Sequence, residues 1–117
     1  MTEKDCPKRT FTLTEAQEAL HEVRALTERA VSEVERLSAD IQRTAETDPA
    51  RTVTAKELDA VVVAWTGEVQ VMGVEVKGLW LVDFDNGDGY YCWRYPEASI
   101  LHYHGYDEGF TGRMKIV

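Results

Sequence analysis

The chain has 117 residues, enough for one domain with a modest core and too few for two. Hydrophobic residues make up 44%, which excludes a disordered chain. Thirteen Lys and Arg against 21 Asp and Glu leave a formal charge of −8; this argues against nucleic acid and anionic membrane as partners, since both need a basic face.

Residues 1–10 read as a polar, flexible leader without the apolar stretch of a signal peptide. No run approaches the length of a membrane-spanning helix. Cys6 and Cys92 lie in unrelated contexts and form no motif together, so a reducing cytoplasm is the expected location.

Phe11-Thr12-Leu13-Thr14-Glu15 reads as a helix start. Thr12 is placed to cap, Glu15 follows at capping-box spacing, and Phe11 with Ala16 could staple the first turn. The helix is expected from about Leu13 to about Ala45. Along it Leu13, Ala16, Leu20, Val23, Thr27, Ala30, Val34, Leu37 and Ile41 keep strict three-four spacing, with Leu26 and Val31 flanking. That pattern puts a narrow apolar seam on a rod of about 45 Å. A second helix of about 19 residues would cover little more than half of it. The seam therefore predicts a homodimer through Leu20, Val23, Thr27, Ala30, Val34, Leu37 and Ile41, weakened at its centre by Thr27.

Thr47-Asp48-Pro49 signals a turn. Thr54-Ala55-Lys56-Glu57 offers a second capping box, and Leu58, Val62, Trp65, Val69 and Met72 again fall at three-four spacing. This predicts a helix ending at Gly73, although Val61-Val62-Val63 and Val69-Gln70-Val71 also suit a strand. From Val74 the period switches to two. Strands are expected at Leu79 to Phe84, Tyr90 to Tyr95 and Ile100 to Tyr106, with Asp85-Asn86-Gly87-Asp88-Gly89 as a hairpin loop. A two-residue Asn86-Gly87 turn would put Trp80, Val82 and Phe84 on the core face with Tyr91, Trp93 and Tyr95. Leu81, Asp83, Cys92 and Tyr90 would then lie on the opposite face. The fold class is α+β: a long antiparallel helical hairpin (11–73) packed on a three- or four-stranded antiparallel sheet with a C-terminal loop (74–117), all in one domain.

Phe11-Thr12-Leu13-Thr14-Glu15-Ala16, Gly73-Val74-Glu75-Val76-Lys77, Leu81-Val82-Asp83-Phe84, Cys92-Trp93-Arg94 and His104-Gly105-Tyr106-Asp107-Glu108-Gly109-Phe110-Thr111-Gly112-Arg113 occur in this order. In that combination the chain resembles the small bacterial family called domain of unknown function 2203, over nearly its whole length. The resemblance implies a cytoplasmic bacterial protein of two helices and a small sheet, and it implies no activity. The chain departs from the family pattern at Tyr103, where a Trp is usual before the histidine, and at Gly78-Leu79-Trp80.

His102 and His104 stand two apart on one strand and so share a face. They could form a metal pair, to which Cys92 or Asp83 on a neighbouring strand could add a ligand. Asp83 interrupts an apolar strand, where a carboxylate needs a partner. Arg94 or Arg113 is the expected partner, in a bridge that locks the C-terminal loop. Asp83, Arg94, Asp107, Glu108 and Arg113 are the candidate ligand-binding residues, and Cys92, His102 and His104 the candidate metal ligands. No residue is assigned a catalytic role, and the sequence leaves any cofactor open. The preferred functional class is a non-catalytic homodimeric interaction module, with another protein as a further partner. The alternative is a small-ligand or metal-binding protein, or an enzyme, with its site on the sheet and C-terminal loop.

Overall fold

The computed structural model describes residues 9–116. The leader expected at residues 1–10 falls mostly outside the described residues, and Cys6 wholly so. Helix α1 (Leu13–Arg43) starts where the sequence places it. Thr12 Oγ1 accepts from Glu15 N–H while the Glu15 carboxylate accepts from Thr12 N–H, closing the capping box. Phe11 is buried against the sheet rather than serving only the helix: its ring meets Phe84 edge-on at 5.3 Å, and its N–H donates to Asp85 O.

Helix α2 (Ala50–Val71) is a full helix in spite of its β-branched triplet. It begins four residues before the expected Thr54 cap. Asp48 Oδ1 accepts from Ala50 N–H at that start, while the Thr54 hydroxyl turns back to Ala50 O. The longer α2 runs antiparallel to α1 and changes the status of the seam. Leu20, Val23, Thr27, Ala30 and Leu37 are buried within the one chain, and Val34 and Ile41 are half-buried. Much of what a second copy was expected to cover is covered by α2 and by the sheet, while Val34 and Ile41 stay partly exposed.

Gly73 ends α2 in the left-handed conformation at φ 85°, which glycine adopts without strain. The chain then enters a five-stranded antiparallel meander, β1 (Glu75–Gly78), β2 (Leu81–Asp85), β3 (Tyr90–Arg94), β4 (His102–His104) and β5 (Met114–Lys115), paired in chain order. The sheet has more strands than the three or four expected, because the short β1 and β5 flank them.

The hairpin between β2 and β3 closes with Asp85 opposite Tyr90 around a four-residue loop. Asn86 Oδ1 accepts from the N–H groups of Asp88 and Gly89, which organises the loop. Relative to a two-residue Asn-Gly turn the register slides by two positions, so Val82 pairs with Trp93 and Phe84 with Tyr91. A slide of two preserves the faces, because side chains alternate with period two. Val82, Phe84 and Trp93 are fully buried toward the helices with Trp65, Val69, Val23 and Ile100. Trp80 lies outside β2, at φ 60°, and meets Trp65 edge-on at 4.8 Å. Ile100 also lies outside β4; Gln17 of α1 hydrogen-bonds both its N–H and its carbonyl, pinning the sheet to the helix.

Candidate functional site

The other face of the sheet carries polar residues in register. Asp83 sits opposite Cys92, Cys92 opposite His102, and Tyr90 opposite His104. Neighbouring strands lie about 4.8 Å apart, so Asp83 and His104, two strands apart, are separated by about 10 Å of backbone. Their side chains close that gap across β3. His104 Nε2 lies 3.0 Å from Asp83 Oδ2 and 3.1 Å from Oδ1. Cys92 sits on the strand between them, and its Sγ, a carboxylate oxygen of Asp83 and a ring nitrogen of His104 all lie within 4.8 Å of one another. The three side chains are 1%, 2% and 3% exposed for Cys92, Asp83 and His104.

Buried polar groups of this kind need partners. The other ring nitrogen of His104, Nδ1, lies 2.9 Å from Gly105 O. A carbonyl only accepts, so Nδ1 carries a proton and donates it. Nε2 then faces a carboxylate. Burial pushes the Asp83 carboxyl above its ordinary range, while His104, the Cys92 thiol and Lys77 pull it back. Burial, followed by the adjacent Asp83 charge, pushes the Cys92 thiol up to about 12. Without a metal this cysteine is a protonated thiol, and nucleophilic attack by Cys92 is not supported.

Asp83 does not pair with arginine as expected. Its cation is Lys77, with Nζ 3.9 Å from Oδ2. Arg113 pairs with Glu97 at 2.9 Å and 3.1 Å, with Nη1 also 3.9 Å from Cys92 Sγ. Arg94 lies over the Phe110 ring at 5.2 Å, and Arg113 lies over the same ring at 4.1 Å. Arg113 reaches Glu97 and both guanidinium groups reach the Phe110 ring, while Asp83 takes its partners from β1 and β4, Lys77 and His104.

Of the expected metal trio, Cys92 and His104 come together and His102 does not join them. His102 Nδ1 is buried without a hydrogen bond, 3.7 Å from Glu97 Oε2. Asp107 is exposed. Glu108 Oε1 accepts from Gly105 N–H and holds the loop. This loop, with the 3₁₀ turn Phe110–Gly112, roofs a pocket of about 360 Å³ over the cluster. Lys77, Leu81, Glu108, Gly109 and Phe110 line its walls.

The sequence reading missed Lys77 and Glu97. Glu75 and Lys77 alternate with Val74 and Val76, so the period-two signal for a polar face was there for Lys77. Glu97 follows Pro96 in a turn and carries no local signal.

A family model described as "Uncharacterized conserved protein (DUF2203)" matches residues 9–116. No curated protein and no solved structure matches the chain.

Proposed function

The chain belongs to the DUF2203 family, and we propose that it binds a divalent transition metal on the outer face of its sheet through Asp83, Cys92 and His104. One observation carries this reading: three buried donors, a sulfur, a nitrogen and an oxygen, converge within 4.8 Å from three different strands. Imidazole with thiolate and carboxylate is a donor set for zinc and its neighbours, and not for magnesium or calcium. The Nδ1 contact to Gly105 O supports it, because it leaves Nε2 to serve as the ligand atom. In the metal-free chain a proton between Nε2 and the Asp83 carboxylate, 3.0 Å apart, satisfies the pair. A metal ion would take that proton's place. Zinc–nitrogen and zinc–oxygen bonds of about 2.0–2.2 Å put tetrahedral ligands about 3.4 Å apart, so the two side chains would part by a few tenths of an ångström to admit the ion. Metal binding would also release the Cys92 proton, since the thiolate is the ligand form.

The homodimeric interaction module is the weaker reading, because the seam that motivated it is turned onto α2 of the same chain.

The test is cobalt(II) titration of untagged protein. About one equivalent should bind, with a thiolate-to-cobalt charge-transfer band that C92A and H104A abolish and H102A retains. Absence of the band, or binding indifferent to C92A and H104A, would overturn the reading.

A further inference from the structure

Three protein ligands leave a tetrahedral ion one position for a ligand from outside, the arrangement of working rather than purely structural zinc sites. Asp83, Cys92 and His104 all line the pocket under the C-terminal loop, so a ligand from outside would reach a bound ion from there. Resting on the metal reading above, we infer that this position takes a small oxyanion, the carboxylate or phosphate group of a small molecule, which Lys77 clamps from β1.

The first support is position. Lys77 Nζ lies 3.9 Å from Asp83 Oδ2 and lines the same pocket. A group that binds the metal beside Asp83 therefore meets the ammonium at once. The second support is orientation. Lys77 is held over the Tyr90 ring at 4.3 Å and by Glu75 Oε1 at 3.3 Å. Tyr90 in turn donates to Glu75 from its hydroxyl. The ammonium is thus aimed before any ligand arrives, which lowers the entropy lost on binding. The third is charge. A divalent ion with one thiolate, one carboxylate and a neutral imidazole is a neutral centre. Lys77, paired with Glu75 Oε1 at 3.3 Å, is the one lysine or arginine lining this pocket among the described residues, and an anion on the metal could share its ammonium. Glu108, the other charged wall residue, is tied by Oε1 to Gly105 N–H and serves the loop.

The rest of the pocket sets the ligand's size and body. A volume of about 360 Å³ is at the small end of ligand cavities. Leu81 and Phe110 give it apolar walls, and Arg94 and Arg113 brace the Phe110 ring. The ligand is therefore a small anion with a short apolar portion, not a nucleotide or a polymer.

The experiment uses the cobalt-loaded full chain at constant ionic strength, titrated separately with sodium acetate and inorganic phosphate against a chloride control. One or both anions should shift the visible cobalt bands saturably. The anion that saturates names the class, carboxylate or phosphate. K77M should keep the thiolate band, since Lys77 is not a ligand, and bind the anion about tenfold more weakly or worse. Bands indifferent to both anions would overturn the inference and leave the metal site standing. K77M binding the anion as tightly as the parent chain would do the same. Failure of cobalt to give the thiolate band would instead defeat the metal reading beneath it.

Discussion

Thr27 occupies the middle of an apolar stripe, where a hydroxyl would be costly without partners. It has two: it donates to Val23 O at 2.7 Å and accepts from Trp65 Nε1 at 2.9 Å. The hydroxyl therefore fixes how the largest side chain of α2 meets α1. Thr27→Val keeps the shape and strands the indole N–H, so it should cost about 1–3 kcal/mol in urea unfolding. A neutral result would show that the pair contributes nothing. Cys92 makes a second prediction at this scale. Burial pushes its thiol from an ordinary value of 9.0 up to about 12. A raised folded value means that its contribution is intact below pH 9 and is lost as pH rises toward 12. The metal-free chain should lose stability in that window, and C92A should show a shallower loss in the same denaturation series. Equal slopes would contradict the burial of the thiol.

At the scale of elements, the helical hairpin carries the seam and the sheet carries the chemistry. The C-terminal part of α1 depends on α2: Leu37 is 3% exposed. Arg51 Nη1, on the first turn of α2, donates to Thr44 O at the end of α1. Leu37→Asp places a charge in that contact, and the cost should exceed the roughly 2–5 kcal/mol of a leucine-to-alanine change. The expected outcome is loss of helical signal in circular dichroism at 25 °C, not a folded chain of altered size in sedimentation. Retention of the full helical signal would mean that α2 does not seal the seam. The hairpin loop shows the same dependence within the sheet. Gly89 N–H is held by Asn86 Oδ1, and a Cβ on Gly89 would come within 2.6 Å of His104 O. The glycine is needed for that close approach of β3 to β4, which brings the His104 strand up to the site.

For the whole molecule, the arrangement is a pair of helices sealing one face of a meander while a loop roofs the other. The donors of the proposed site come from β2, β3 and β4, so binding would tie together three strands, of which β2 and β4 already touch through Asp83 and His104. A metal that binds the folded chain and not the unfolded one stabilises it by RT ln(1 + [L]/Kd). At a hundredfold excess over Kd this is about 2.7 kcal/mol, or a rise in Tm of about 8–15 °C for a chain this size. Cobalt or zinc should raise Tm, chelator should reverse the rise, and C92A should show neither effect. No helix among the described residues is long and apolar enough to cross a membrane.

Local chemistry alone determined a large part of this protein. The Thr12–Glu15 box, the seam from Ala16 to Leu37, the left-handed Gly73 and the alternation from Val74 onward are each set by neighbours a few residues away. Periodicity therefore reported them correctly. Even the hairpin faces survived a register slide, because two residues is one full period. What the linear order could not encode is which polar residue meets which across strands. Asp83, Cys92 and His104 are 21 residues apart from first to last, and the partner chosen by Asp83 depends on strand order, twist and side-chain reach together. The same limit applied to the seam: its spacing announced an apolar stripe, but whether α2 was long enough to lie along it was decided by where the turn at Asp48-Pro49 let that helix begin. Hydrophobic periodicity states that a surface must be covered, and only the packed chain decides by what.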